Sequence, residues 1–122
     1  MKALIVDDSR AMRTLLGSFC QALDCEVVEA TDGRNALEQM ALHQPFDFAL
    51  VDWDMPIMNG LELVKVLRAN HSYDEMKLMM VTAQTSMDSV VEAIENGAND
   101  YLMKPLTEEM FQDKLRLLGI AE

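Results

Sequence analysis

Two hydrophobic periodicities alternate along this chain, and their alternation constrains the fold more than any other feature. Short, nearly continuous apolar runs are typical of buried strands, and they lie at residues 3–6, 26–28, 48–51, 78–81 and 101–103. Between the runs, apolar residues recur at intervals of three and four, as on one face of a helix. Five strands alternating with five helices predict an α/β fold, a three-layer (βα)5 sandwich around a parallel sheet.

Capping residues support the predicted helices. Ser9 is a suitable N-cap for the first helix and Thr107 for the last, and Asn96-Gly97 is a suitable C-cap pair for the fourth. The third helix is entered through a turn at Asn59-Gly60. The second strand is the least marked, because glutamates flank its two valines. The chain of 122 residues has no linker-like segment, so we interpret residues 1–122 as one domain without an output domain.

The charge excludes several classes of function. A net charge of −11 disfavours nonspecific binding to nucleic acid or to anionic lipid, both of which require a basic surface. The apolar runs are far shorter than the roughly 20 residues that cross a membrane. Cys20 and Cys25 lack metal-ligand spacing, which indicates reduced thiols in a cytoplasmic protein.

Charged residues follow three of the predicted strands. Asp7 and Asp8 follow the first strand, Asp52 closes the third, and Lys104 follows the fifth. The carboxyl ends of parallel strands share one sheet edge, where open α/β sheets bind ligands. Three carboxylates gathered there repel one another, so we predict that Mg²⁺ and a phosphoryl group bind at this edge. The alternative is that Asp7 or Asp8 only caps the first helix.

Taken together, these motifs resemble the receiver domain of bacterial two-component response regulators. The resemblance covers essentially the whole chain and is closest to the stand-alone, CheY-like chemotaxis type. It implies the strand order 2-1-3-4-5. The motifs that carry it are Asp7-Asp8, Asp52-Trp53-Asp54-Met55-Pro56, Gly60, Thr82-Ala83, Tyr101 and Lys104-Pro105.

The resemblance assigns roles to the residues of the site. Asp52 is the nucleophile that accepts a phosphoryl group, and Lys104 and Thr82 contact the phosphoryl oxygens. Mg²⁺ is held by Asp8 directly, by Asp7 through water, by Asp52, and by the backbone carbonyl of Asp54. The bond before Pro105 is expected to be cis. The side chains of Asp54 and Gln84 are expected to tune the lifetime of the phosphoryl group.

The resemblance also implies a switch. Movement of Thr82 toward the phosphoryl group lets Tyr101 rotate and reshapes a surface formed by the fourth helix, the fifth strand and the fifth helix. The expected contact residues on that surface are Met87, Val90, Tyr101, Leu106 and Lys114. Packing between helix and sheet is the alternative for its apolar members. The fourth helix departs from regulators that bind the flagellar motor, because it carries Asp88, Glu92 and Glu95.

The expected partners are a sensor histidine kinase or phosphotransfer protein and a downstream protein target, not nucleic acid or a membrane. The kinase is expected to dock near the first helix, at Arg10, Met12, Arg13 and Leu16. The protein is not expected to be a turnover enzyme, although it catalyses its own phosphorylation and dephosphorylation.

Two alternatives remain open. Asp52-Trp53-Asp54 also has the nucleophile spacing of haloacid-dehalogenase-like phosphatases, although those enzymes place the motif on the first strand. A flavodoxin-type cofactor carrier would share the fold. It would place a phosphate-binding loop where Asp7-Asp8 stands here.

Overall fold

The computed structural model describes residues 1–83 and 87–120. The strands are β1 (Lys2–Val6), β2 (Glu26–Ala30), β3 (Phe48–Asp52), β4 (Lys77–Thr82) and β5 (Asp100–Met103). The helices are α1 (Arg10–Gln21), α2 (Gly33–His43), α3 (Gly60–Ala69), α4 (Met87–Glu95) and α5 (Glu108–Leu117). A short 3-10 helix at His71–Tyr73, which the sequence patterns did not indicate, precedes β4.

The strands form one parallel sheet in the order β2-β1-β3-β4-β5, so the predicted fold and strand order are confirmed. All five residues of β3 are buried, as expected for a central strand covered on both faces. The weakly marked second strand is present at the sheet edge, where only its last residue is buried. Val6 of β1 is in register with Val51 of β3, which brings the following residues, Asp7 and Asp52, side by side.

Alternate residues of the strands face two separate hydrophobic cores, one on each side of the sheet. One core packs α1 and α5 against the sheet through residues such as Ile5, Leu16, Leu50, Phe111 and Leu115. The other packs α2, α3 and α4 against the opposite face through residues such as Leu4, Met40, Val51, Val64 and Ala93. Burying both faces leaves only the ends of the strands available for a site.

The helix caps follow the sequence expectations. The side chains of Ser9 and Thr107 accept hydrogen bonds from the backbone N–H groups of Met12 and Met110. Asn59 forms a capping box with Glu62, so the start of α3 is fixed directly after the β3–α3 loop. Among residues 1–83 and 87–120, every helix is too short or too polar to cross a membrane.

The two cysteines are free and buried. Burial raises the pKa of the Cys20 thiol to about 12. A buried thiol with a raised pKa is a poor nucleophile, so Cys20 acts as an apolar packing residue.

Candidate functional site

Three carboxylates meet at the carboxyl edge of the sheet, beyond the ends of β1 and β3. Oxygens of Asp7, Asp8 and Asp52 all lie within 4.8 Å of one another. Asp7 is 1% exposed and Asp52 is 5% exposed, whereas Asp8 lies at the surface. The structure therefore brings together the three acids that the sequence predicted at this edge.

Asp7 and Asp8 converge because the chain turns sharply after β1. The backbone N–H of Asp7 still donates to the carbonyl of Ala30, 3.1 Å away, as if the strand continued. The backbone N–H of Ser9 then donates to Asp7 Oδ1 over 2.8 Å. Since Ser9 is the N-cap of α1, the alternative that Asp7 or Asp8 only caps this helix is wrong.

Arg13 also supports this turn, although sequence reasoning placed it on a docking surface. Its guanidinium donates to the carbonyl oxygen of Asp7 at 2.7 Å and to Glu29 Oε1 at 3.0 Å. The contact joins α1, the β1–α1 turn and β2. No local sequence pattern marks this contact, because Glu29 lies on β2, 16 residues after Arg13 in the chain.

Lys104 reaches the acids from the end of β5. Its Nζ lies 3.1 Å from Asp52 Oδ1 and 3.3 Å from Asp7 Oδ2. The Lys104 backbone N–H donates to the carbonyl of Thr82, which holds the end of β5 against β4. The Lys104–Pro105 peptide bond is cis, as the resemblance implies.

The electrostatics of the site are unbalanced. Burial raises the pKa of Asp52 and the charge of Asp7 raises it further, against the opposing effect of Lys104. Burial acts to lower the pKa of Lys104, but its hydrogen bond and charge interactions with Asp52 and Asp7 together raise it. One ammonium does not fully compensate two buried carboxylates and a third beside them. A divalent cation with oxygen ligands fits this donor set.

Gly60 allows α3 to start directly against the end of β3. Its N–H donates to the carbonyl of Trp53 over 2.9 Å. A Cβ at this position would lie 2.4 Å from the carbonyl oxygen of Asp52. The sequence marked Gly60 as part of a turn, but only the structure shows that the site has no room for a side chain there.

Thr82 and Tyr101 lie on adjacent strands beside the acids. Thr82 ends β4 and is 2% exposed, and the half-buried Tyr101 lies opposite Met80 in the register of β4 and β5. A crevice of about 10 Å³, the size of one water molecule, is lined by both residues and by residues of α4. Lys114 Nζ lies 5.2 Å from the centroid of the Tyr101 ring and 2.9 Å from Asp100 Oδ1.

Three of the residues expected at partner surfaces are buried, whereas others are exposed. Val90 and Leu106 are only 7% and 8% exposed, so the packing alternative holds for them in this structure. Met87 is 64% exposed. On α1, Leu16 is 1% exposed and cannot be a docking contact, while Arg10 is exposed.

The structure describes one of the two residues expected to tune phosphoryl lifetime. Asp54 is exposed on the loop after Asp52. Gln84 lies outside the described residues. Trp53 is half-buried next to Asp52.

Comparisons with known proteins show the family to which this chain is similar. A family described as "Response regulator receiver domain" matches residues 3–116. A chemotaxis protein CheY homolog of Campylobacter jejuni is 38% identical over 116 residues, covering 94% of this chain and 89% of the relative. Chemotaxis protein CheY1 of Helicobacter pylori is 36% identical over 119 residues, covering 97% and 96%.

A solved structure of a chemotaxis protein has the same fold. Chemotaxis protein CheY4 of Vibrio cholerae superposes with a TM-score of 0.88 at 34% identity, covering 95% of this chain and 96% of that one. In this chain, the Asp52-Trp53-Asp54 motif begins at the last residue of β3, and the acid pair Asp7-Asp8 follows β1. That placement does not fit the phosphatase alternative, and the acid pair does not fit the phosphate-binding loop of a flavodoxin-type carrier.

Proposed function

Because the chain belongs to the response regulator receiver domain family, we propose that it is a switch controlled by phosphorylation of Asp52. The phosphoryl donor is a phosphohistidine of a sensor histidine kinase or of a phosphotransfer protein. The observation that carries this proposal is the buried Asp52 carboxylate, held 3.1 Å from Lys104 Nζ and within 4.8 Å of two further acids.

The proposed reaction is a displacement at phosphorus. A carboxylate oxygen of Asp52 forms the new O–P bond as the P–N bond to the donor imidazole breaks, and the electron pair of that bond returns to the imidazole nitrogen. Lys104 already lies against Asp52, so its ammonium can contact a phosphoryl oxygen. The Thr82 hydroxyl, at the end of the next strand, contacts another.

The acids of the edge are the proposed Mg²⁺ site. Asp8, Asp52 and the backbone carbonyl of Asp54 would bind the ion directly, and Asp7 would bind it through water. When bound, Mg²⁺ neutralises the negative charge that accumulates between the carboxylate and the phosphoryl oxygens. Asp7 is already fixed by Ser9 and Lys104, so this part of the site needs no rearrangement.

The proposed output is a change at the surface of α4, β5 and α5. Thr82 and Tyr101 line one crevice, so movement of Thr82 toward a phosphoryl group alters the space available to the Tyr101 ring. Met87, Tyr101 and Lys114 would contact the downstream protein, while the buried Val90 and Leu106 shape the surface from below. Asp54 and Gln84 would set how long the phosphoryl group persists. We place the protein in the cytoplasm, with protein partners only.

Intact mass tests the proposed phosphorylation. The protein is incubated with acetyl phosphate and Mg²⁺, and we expect a gain equal to one phosphoryl group. Asp52→Asn should abolish the gain. Asp54→Asn, the same substitution two residues along the loop, should keep the gain even if its decay rate changes. A gain that persists in Asp52→Asn would reject the assigned nucleophile.

Trp53 provides a second readout, because its half-buried indole lies next to the proposed phosphoryl acceptor. Its fluorescence should respond to Mg²⁺ and to beryllofluoride, a phosphoryl mimic. An unchanged emission spectrum with both additions would contradict this placement of the site.

A further inference from the structure

An exposed apolar stripe runs along α4. Met87, Val91 and Ile94 are 64%, 46% and 44% exposed. Their spacing of four and three residues places them on one face of the helix, while Val90 and Ala93 are buried against the sheet. The stripe is therefore separate from the face that packs into the core.

The stripe continues across β5 to α5. Ile94 and Tyr101 line the same crevice between α4 and the sheet. On its other side, Tyr101 lines a groove of about 300 Å³ together with Met110 and Leu117, which are 41% and 78% exposed. Apolar side chains from three elements thus form one surface, which we call the α4–α5 surface. A contiguous exposed apolar surface of this kind indicates a site of protein interaction.

The charges beside this surface are negative. Asp88, Glu92 and Glu95 form a second stripe on α4 with the same spacing as the apolar one. Within the part of the chain that the structure describes, none of these three acids forms an ion pair. The helix itself has no basic residue.

The basic residues on α5 are already paired. Lys114 lies 2.9 Å from Asp100, and Arg116 lies 2.5 Å from Asp113. A partner that approaches the α4–α5 surface therefore meets uncompensated carboxylates, whereas the nearby cations are engaged. Charge complementarity favours a cationic partner and disfavours an acidic one.

We propose that the α4–α5 surface binds a cationic amphipathic helix of the downstream protein. Apolar residues of that helix would pack on the stripe of Met87, Val91 and Ile94, and its lysines or arginines would face Glu92 and Glu95. This inference rests on the proposed function, because it names the class of partner that the switch controls. A second copy of this chain is disfavoured as occupant, since it would bring another acidic stripe and a net charge of −11.

Two designed peptides test the proposal. Both are helices of about 18 residues, or five turns, with leucines at the same positions of one face. One carries lysine at the remaining charged positions and the other carries glutamate. Binding is measured by fluorescence anisotropy, with unmodified protein and with protein treated with Mg²⁺ and beryllofluoride. We expect the lysine peptide to bind at least about tenfold more tightly than the glutamate peptide.

Matched variants locate the binding surface. Glu92→Lys should weaken binding of the lysine peptide about fivefold or more, whereas Glu38→Lys, the same charge change on the exposed side of α2, should have little effect. Val91→Ser should also weaken binding. Val66→Ser, at a similarly exposed valine of α3, should not.

The outcomes separate this inference from the proposed function. Equal or tighter binding of the glutamate peptide overturns the cationic partner. Equal weakening by Glu92→Lys and Glu38→Lys overturns the surface, because attraction would then be spread over the whole acidic molecule. Selective binding of the lysine peptide that beryllofluoride leaves unchanged supports the surface but contradicts the phosphorylation-dependent switch.

Discussion

The carboxylate of Asp52 is 5% exposed and lies beside the carboxylates of Asp7 and Asp8. Burial and the charge of Asp7 both disfavour its ionised form, and Lys104 compensates only in part. As the proposed phosphoryl acceptor, Asp52 would nevertheless have to be ionised to attack phosphorus. The site thus holds a charged group at a cost in stability, and a bound dication would relieve that cost.

Removing this charge should stabilise the protein. The folded-state pKa of Asp52 is raised, so the folded protein retains this proton at a pH where the unfolded chain has lost it. The free energy of unfolding therefore falls as the pH rises through the interval from the unfolded to the folded pKa. Without Mg²⁺, we expect Asp52→Asn to be more stable than the wild type at neutral pH, with the difference vanishing below about pH 4.

Urea unfolding across this pH range measures the effect. Glu38→Gln, which removes an exposed carboxylate of α2, should leave the free energy of unfolding nearly unchanged at every pH. An Asp52→Asn variant that is less stable than the wild type at neutral pH would contradict the electrostatic description of the site.

At the scale of elements, the start of α3 is packed against the end of β3. Gly60→Ala would place a Cβ 2.4 Å from the Asp52 carbonyl oxygen. We expect a loss of about 1–3 kcal/mol in unfolding free energy, the usual cost of overpacking, together with slower phosphorylation because Asp52 is displaced. Urea denaturation measures the loss of unfolding free energy, and the rate of mass gain with acetyl phosphate measures the slower phosphorylation.

Gly17 on α1 provides the control for this substitution. A Cβ there would have only Ile5 Cδ1 near it, at 4.0 Å. Gly17→Ala should therefore be neutral or stabilise by about 0.5–1 kcal/mol, since alanine favours a helix over glycine. Similar losses from both substitutions would show that close approach at Gly60 is not the cause.

Arg68, at the end of α3, joins segments that lead into the amino ends of β4 and β5, at the end of the sheet away from the acids. Its guanidinium donates hydrogen bonds to the carbonyl oxygens of Tyr73, Met76 and Gly97 and to Asn99 Oδ1, over 2.7–2.9 Å. These groups precede β4 or follow α4, so one side chain links both connections. The left-handed Gly97, with φ +116°, packs directly against it.

Truncating this side chain should destabilise the fold without touching the proposed site. We expect Arg68→Ala to lower the free energy of unfolding by about 2–3 kcal/mol, because several acceptors lose a charged donor at once. Arg34→Ala, which removes an exposed arginine of α2, should change it by less than about 0.5 kcal/mol. Equal effects of the two substitutions in urea denaturation would show that the Arg68 contacts contribute nothing.

For the whole molecule, the proposed Mg²⁺ site couples ion binding to stability. An ion that binds the folded state and not the unfolded chain raises the melting temperature as its concentration increases. We expect Mg²⁺ to stabilise the wild type in thermal unfolding. Asp8→Asn should remove most of this response and still fold, because Asp8 lies at the surface. Na⁺ at equal ionic strength controls for general screening of the net charge of −11.

An equal response of Asp8→Asn and wild type would place the ion elsewhere. The exposed Asp88 of α4 offers a comparison, because Asp88→Asn removes the same charge from a residue that does not belong to the group of three acids. Its Mg²⁺ response should match that of the wild type.

The order of elements and the place of the site follow from local patterns. Apolar runs and helical spacings depend on neighbours a few residues away, so the strands, the helices and even the edge β2 were predicted correctly. The acid edge was predicted for the same reason, since residues that follow parallel strands must meet at one edge. Ser9 and Thr107 cap their helices as expected, because capping is also local.

Only the tertiary structure decided the contacts between residues that are far apart in the chain. Val90, Leu106 and Leu16 were expected at surfaces, yet each is buried, because burial depends on which other element covers a helix face. The roles of Arg13 and Arg68 had no local signal, since their acceptors come from other elements. The sequence by itself therefore determined the fold and where the acids gather. Packing between distant elements decided which side chains remain exposed to a partner.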